Sequence, residues 1–194
     1  MLKKTISFAI VILACGCSGF HLVEKNFNSN GKTIAVVAGI DNEMNEQVAV
    51  SLTESLKNQT KFRTVPQSTV KKLIQNYPSK IKGPYKAAYL EIETDYDNTD
   101  TQKIKEIQNK LNVDFVYVIW APLVVRQGAF NRIDIISQMY EGSSLKEVGR
   151  GEFYALSAAE GATVIGPSID MKTSIGNATD KVALQIAQVM KKEK

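Results

Sequence analysis

"DFVYVIWAPLVV", residues 114–125, is the most apolar internal stretch of this 194-residue chain. A run so rich in β-branched and aromatic side chains reads as a strand covered on both faces, so it belongs at the centre of a sheet with Trp120 in the core. Downstream, "NRIDIISQMY" (131–140), the turn "EGSS" (141–144) and "LKEVGRGEFYAL" (145–156) read as a β-hairpin of two long strands. The two glycines of "VGRGEF" (148–153) mark close packing or a bulge in that hairpin. Upstream, "KTIAVVAGI" (32–40) is a second nearly unbroken apolar run and reads as the first strand of the domain.

The segments between these strands carry helical periodicity. Met44, Val48, Leu52 and Leu56 fall one in every four, with Ala49 widening the stripe, which predicts an amphipathic helix. "FRTV" (62–65) is a short second strand stopped by Pro66. Ser68 then caps a helix facing inward through Val70, Leu73, Ile74 and Tyr77, and Pro78 ends it. Residues 79–100 fit either a short half-exposed strand or an ordered loop. Thr99 and Gln102 have the spacing of a capping box for a helix buried through Ile104, Ile107 and Leu111. The final helix is expected from about Asn177, with Val182, Ile186, Val189 and Met190 inward and "KKEK" at the negative end of its dipole. The order β-α-β-α-(loop)-α-β-β-β-α predicts a single α/β domain, a mixed β-sheet flanked by helices.

The N-terminus reads as an export signal. Lys3 and Lys4 precede an apolar run from Ile6 to Ala14, far shorter than the ~20 residues that span a bilayer. In "VILACGCSGFHL" (11–22) that run ends in small residues against cysteine, which resembles the lipobox of bacterial lipoproteins. The resemblance implies an acylated, palmitate-bearing N-terminal cysteine. Cys15 is favoured because Ile12 stands three residues upstream, and Cys17 is the alternative. The expected organisation is a lipoprotein signal peptide over 1–14 (or 1–16), a lipidated tether over 15–31 with little fixed structure before Lys32, and a periplasmic domain over 32–194. The residue after the anchor is Gly16 or Ser18, not aspartate, so the resemblance implies the outer membrane, periplasmic side. Loss of Lys3 and Lys4 with the signal leaves a net charge of about +2, no footprint for nucleic acid.

Chemistry is sparse. His21, the single histidine, lies in the tether, and no cysteine follows Cys17, so the usual nucleophile–base pairs and zinc ligand sets have no members inside the domain. Neither GxGxxG nor GxxxxGK[ST] occurs. Catalytic residues, cofactors and an enzymatic role are therefore not expected. Asp95, Asp97, Thr99 and Glu106 match positions 1, 3, 5 and 12 of a calcium loop, but Asp100 stands where that loop requires glycine, so the candidate is weak. Asn58-Gln59-Thr60 and Asn177-Ala178-Thr179 match a glycosylation sequon and are read as ordinary helix residues. The acidic segment 91–100 and the small-residue loop 155–174 are the expected contact regions, neither having an evident core role.

Taken in order, the lipobox, "KTIAVVAGI", "KFRTVPQSTVKKLI", "IQNKLNVDFVYVIWAPL" and the hairpin at "YEGSS" resemble the CsgG/LpoB/PelC-like bacterial lipoprotein superfamily. It comprises the curli-secretion lipoprotein, the lipoprotein activator of a penicillin-binding protein and the exopolysaccharide-export ring lipoprotein. Residues 32–190 can be laid on that order. The resemblance implies a scaffold or accessory subunit of an envelope export or assembly machine, with envelope protein partners and a homo-oligomeric ring; a peptidoglycan-synthase activator is the alternative. "VVRQGAFNR" (124–132) is only a short link where the curli channel carries long barrel-forming insertions, so no such pore is expected. "CSGFHL" (17–22) also resembles the "CGFxL" start of the lipopolysaccharide-translocon plug lipoprotein, over about six residues.

Overall fold

The computed structural model describes residues 19–24, 30–88, 91–142, 144–159 and 170–191. In chain order these form β1 (Gly19–Leu22), β2 (Thr33–Ala38), α1 (Glu43–Gln59), β3 (Arg63–Thr64), α2 (Gln67–Leu73), β4 (Tyr85–Ala88) and β5 (Glu91–Thr94). A 3-10 turn at Tyr96–Asn98 follows, then α3 (Thr101–Leu111), β6 (Phe115–Gln127), β7 (Phe130–Glu141), β8 (Glu147–Ala158) and α4 (Met171–Lys191). The main sheet has the order β1-β8-β7-β6-β2-β3, and β4 and β5 form a separate antiparallel pair. β6, β7 and β8 are an antiparallel meander, and β2 joins β6 and β3 in parallel. The mixed α/β architecture agrees with the sequence, and "DFVYVIWAPLVV" supplies the strand between the parallel and antiparallel halves.

Apolar side chains leave both faces of β2 and β6, so each face needs its own cover. Ile34, Val36, Ala38, Tyr117 and Ile119 pack under α1 and α4 with Leu52, Leu56, Ile175 and Ile186. Ala35, Val37, Val116, Val118 and Trp120 pack on the other face against Val70, Ile74, Ile104 and Ile107 of the α2 and α3 side. Period-2 alternation in two central strands therefore generates two cores, one per face. α1 and α4 approach closely through small hydroxyls: Thr179 lies 2.8 Å from the Ser51 Oγ and accepts from Ser55 at 3.1 Å.

Several boundaries differ from the sequence reading. Little fixed structure was expected before Lys32, yet β1 pairs antiparallel with β8, Gly19 opposite Glu152 and Leu22 opposite Gly149. Pro66, not Ser68, occupies the N-cap of α2 without a side-chain bond, and Leu73 turns outward at 46% exposure while Val70 and Ile74 are buried. Seven residues make two turns, too few to present a four-residue stripe on one side. Asp100, not Thr99, caps α3 by accepting from the Lys103 N–H at 3.0 Å. Thr99 instead donates to Gln138 on β7 at 2.5 Å, a long-range bond that outcompetes the local one. α4 starts at Met171, six residues before Asn177, because Asp170 accepts from the Thr173 N–H at 2.9 Å. Gly176 would cost about 1 kcal/mol inside a helix, and the burial of Ile175 and Ala178 beside it offsets that. The "VVRQGAFNR" link is part of two paired strands that continue to Gln127 and Phe130 and turn at Gly128, whose φ of 62° suits glycine.

Asp114 ties the first strand of the parallel pair to the start of β6. Its carboxylate accepts from the Thr33 N–H and hydroxyl at 2.8 Å each and from the Lys32 ammonium at 3.0 Å. The Thr33 backbone bond above all, with the Lys32 and Thr33 side chains, holds its pKa at about 2, below the ordinary 3.8. The folded value is depressed, so this stabilisation is present above pH ~3.8 and is lost as pH falls toward 2. Asp114→Asn is expected to cost about 1 kcal/mol at neutral pH, the site being partly solvent-screened. Urea midpoints measured between pH 7 and 2 should converge for the two proteins at the acid end.

Candidate functional site

In open α/β sheets the carboxyl ends of the parallel strands are the usual ligand crevice. Here those ends, just past Ala38 and Ile119, are filled from within. The Asn45 Oδ1 accepts from the Ala121 N–H at 2.8 Å, and its Nδ2 donates to Ile40 and Ile119 carbonyls at 3.3 and 3.1 Å. Trp120, fully buried, donates its indole N–H to the Ile81 carbonyl at 3.0 Å. The ring lies against Gly39 and Gly83, where any Cβ would overlap it. Next to this plug, the Tyr77 hydroxyl accepts from the Ala38 N–H at 3.1 Å and donates to Gln67 at 2.9 Å. Gln67 in turn donates to the Val36 carbonyl and to Thr53. Burial pushes the Tyr77 phenol up to about 12, so it stays neutral and acts as a strut between α1, α2 and β2.

The second-face half of the sheet beyond α3 is polar. Arg150 and Glu152 on β8 and Gln138 on β7 meet the 3-10 turn that follows β5. The Tyr96 hydroxyl donates to Glu152 at 2.6 Å, and the Arg150 guanidinium lies 4.2 Å from the Tyr96 ring centre. Arg150 also grips Glu147 with two bonds of 2.7 and 2.8 Å. Burial, then the Glu152 bond, raise the Tyr96 pKa, which favours a neutral donor over a base. Arg132 pairs with Asp134 at 2.6 Å and lies 4.5 Å from the Tyr154 ring centre. Charges of both signs are thus matched locally, which makes this face a clamp for the 91–100 segment.

That clamp corrects one expectation: residues 91–100 have a structural role, as β5, the 3-10 turn and the α3 cap. Asp95 and Asp97 lie around that turn while Glu106 stands on α3 and pairs with Lys103 at 3.2 Å. Among the described residues no group of three or more His, Cys, Asp or Glu side chains is placed to hold a metal ion. Of the other expected contact region, residues 155–158 belong to β8 with Ala155 in the core, and 170–174 cap and begin α4. Its middle, 160–169, lies outside the described residues, as do Cys15 and Cys17. His21 sits exposed on β1.

Sequence reasoning missed the seat of β1. Phe20 is 5% exposed, its ring 6.0 Å edge-on from Tyr117 two strands beyond β8. It reaches there over a trough of small residues, Gly149 and Gly151 on β8 and Ser137 on β7. A Cβ on Gly149 would collide with the Phe20 ring, and one on Gly151 would come within 3.0 Å of the Gly19 carbonyl. The glycines of "VGRGEF" were the available signal, and close packing is what they serve. Gln185 of α4 accepts from the Phe20 N–H at 2.9 Å and so covers the outer edge of β1.

With this arrangement in hand, the chain can be compared with solved proteins. The fold resembles that of PelC. The PelC dodecamer from Paraburkholderia phytofirmans matches in two crystal forms, one of them of a variant. The TM-scores are 0.53 and 0.51 at 9% and 8% identity, over 89% and 88% of this chain and 98% and 97% of PelC. The lipoprotein GNA1162 from Neisseria meningitidis also aligns, at TM-score 0.49 and 13% identity over 81% of this chain and 99% of its own. No protein-family model and no curated protein matches the sequence. The PelC likeness therefore concerns the fold. Among the described residues, no helix is long and apolar enough to cross a membrane.

Proposed function

We propose that this chain is a lipid-anchored, non-enzymatic lipoprotein on the periplasmic side of the outer membrane, acting as a scaffold or accessory subunit of an envelope export or assembly machine. The observation that carries the reading is the joint occurrence of a lipobox-like N-terminus and a domain that shares the fold of a protein solved as a dodecamer. The polar side chains at the strand ends and on the second face are engaged in holding backbone and loops together, which favours action by binding.

The seat of β1 also weighs between scaffold and synthase activator. A free tether of ~15 residues would give a reach of roughly 50 Å, whereas β1 leaves one residue between Cys17 and the sheet, or three between Cys15 and the sheet. A domain held that close to its own membrane suits a ring or scaffold at the outer membrane better than an activator of an enzyme across the periplasm.

The acylated protein extracted in mild detergent should run as a discrete high-order oligomer in native mass spectrometry. A strict monomer at the highest attainable concentration would overturn the ring assembly.

A further inference from the structure

The register of β1 fixes where the chain enters the domain. Gly19 stands opposite Glu152, which pairs with Ile136, which pairs with Trp120. From that level the β6–β7–β8 meander runs on alone, six more residues of β8 to Ala158, which pairs with Phe130 beside the Gly128 turn. At ~3.3 Å per residue the meander extends about 20 Å beyond Gly19. β1 runs antiparallel to β8, so its N-terminal end at Gly19 points in that same direction. Cys17 and Cys15 precede it by two and four residues, so the anchor can stand at most about 7 or 14 Å away.

A lipidated cysteine within that distance brings the bilayer surface past the level of Gly19 and onto the end of the meander. Reaching the opposite pole would require the leash to reverse and run beyond Glu147, five residues of strand plus the 142–146 turn, more than its length allows. The chemistry of the tip is compatible with that placement. The meander tip has exposed Arg126 and half-buried Val125 and Phe130, and the first turn of α4 beside it has exposed Lys172 and half-buried Met171. Among the described residues the acids there are engaged: Asp134 with Arg132, and Asp170 with Thr173 at the start of α4. At the far pole Glu24 is paired with Lys146 and Glu147 with Arg150, and Glu141 accepts from the Ser144 hydroxyl, so the length of the leash, not the charge, distinguishes the two poles. Long cations with aromatic and aliphatic neighbours suit a headgroup layer, where the charge stays wet and the apolar parts are covered.

We propose that the β6–β7 tip, with the first turn of α4, is the membrane-facing surface of this domain and sits in the phospholipid headgroup layer. The proposal rests on the lipoprotein reading above. It is tested with acylated full-length protein in phosphatidylethanolamine–phosphatidylglycerol vesicles that contain phosphatidylcholine brominated near the head of its chains. Ala129→Trp places a reporter on the tip and Ser144→Trp one at the far pole; buried Trp120 in the unsubstituted protein gives the background. The added emission of Ala129→Trp should shift to the blue and be mostly quenched, that of Ser144→Trp unchanged. Protein that carries acyl chains by intact mass and floats with vesicles, yet leaves Ala129→Trp unquenched or quenches Ser144→Trp, overturns the orientation alone. Protein with no acyl chain and no vesicle binding overturns the lipoprotein reading and the orientation with it.

Discussion

Trp120→Ala is expected to lower the unfolding free energy by about 3–5 kcal/mol, a large part of the 5–15 kcal/mol typical of a whole domain. Three effects converge at this position. The side chain is fully buried in the second core, so its removal leaves a cavity among Val37, Val118 and Ile81. The Ile81 carbonyl loses its donor. Gly39 and Gly83 hold their backbones against the ring and have no side chain with which to fill the space. Trp120→Phe keeps most of the volume and loses the indole donor, so it should cost about 1–2 kcal/mol. Urea unfolding of the three proteins decides the matter. A Trp120→Phe loss as large as that of Trp120→Ala would mean that the hydrogen bond, not the packing, fixes the strand-end plug.

The centre of this fold was legible because its signal is local and redundant. In "KTIAVVAGI" and "DFVYVIWAPLVV" nearly every residue is apolar, so an error of a residue or two leaves the reading intact, and only the centre of a sheet can bury both faces. The stripe of α1 and the face Ile104, Ile107 and Leu111 of α3 are similarly robust. Illegible features depend on partners distant in sequence. Thr99 was assigned to a cap three residues away, whereas its hydroxyl is held by Gln138, 39 residues on. The early start of α4 is hidden by Gly176, whose helical cost is offset only by tertiary burial. The 91–100 segment looked free because nothing in it shows that Arg150 and Glu152 will receive Tyr96. β1 was the hardest, with four residues, only one of them buried, and a partner about 130 positions downstream.

Phe20 and Gly149 should therefore behave as one unit. Phe20→Ala is expected to destabilise the domain by about 3–5 kcal/mol, as for other buried aromatics. Gly149→Val should cost about as much, although valine is a far better strand residue than glycine. A β-branched side chain there occupies the space of the Phe20 ring, and with the ring displaced, β1 loses both its core contact and its place beside β8. If each substitution undoes the same docking, the double variant is scarcely less stable than the worse single one, a coupling about as large as the smaller single loss, about 3 kcal/mol or more, at the upper end of the range found for residues in contact. Additive losses would show that Gly149 acts through β8 alone. Hydrogen exchange supplies the second readout, since the Phe20 amide, held by Gln185, should lose protection in either variant while Tyr117 and Ile119 keep theirs. The same variants reach into function. Undocking β1 lengthens the leash from at most four residues to the ~15 of a free tether, so Ala129→Trp on a Gly149→Val background should escape quenching by brominated lipid even though the protein remains acylated and on the vesicle.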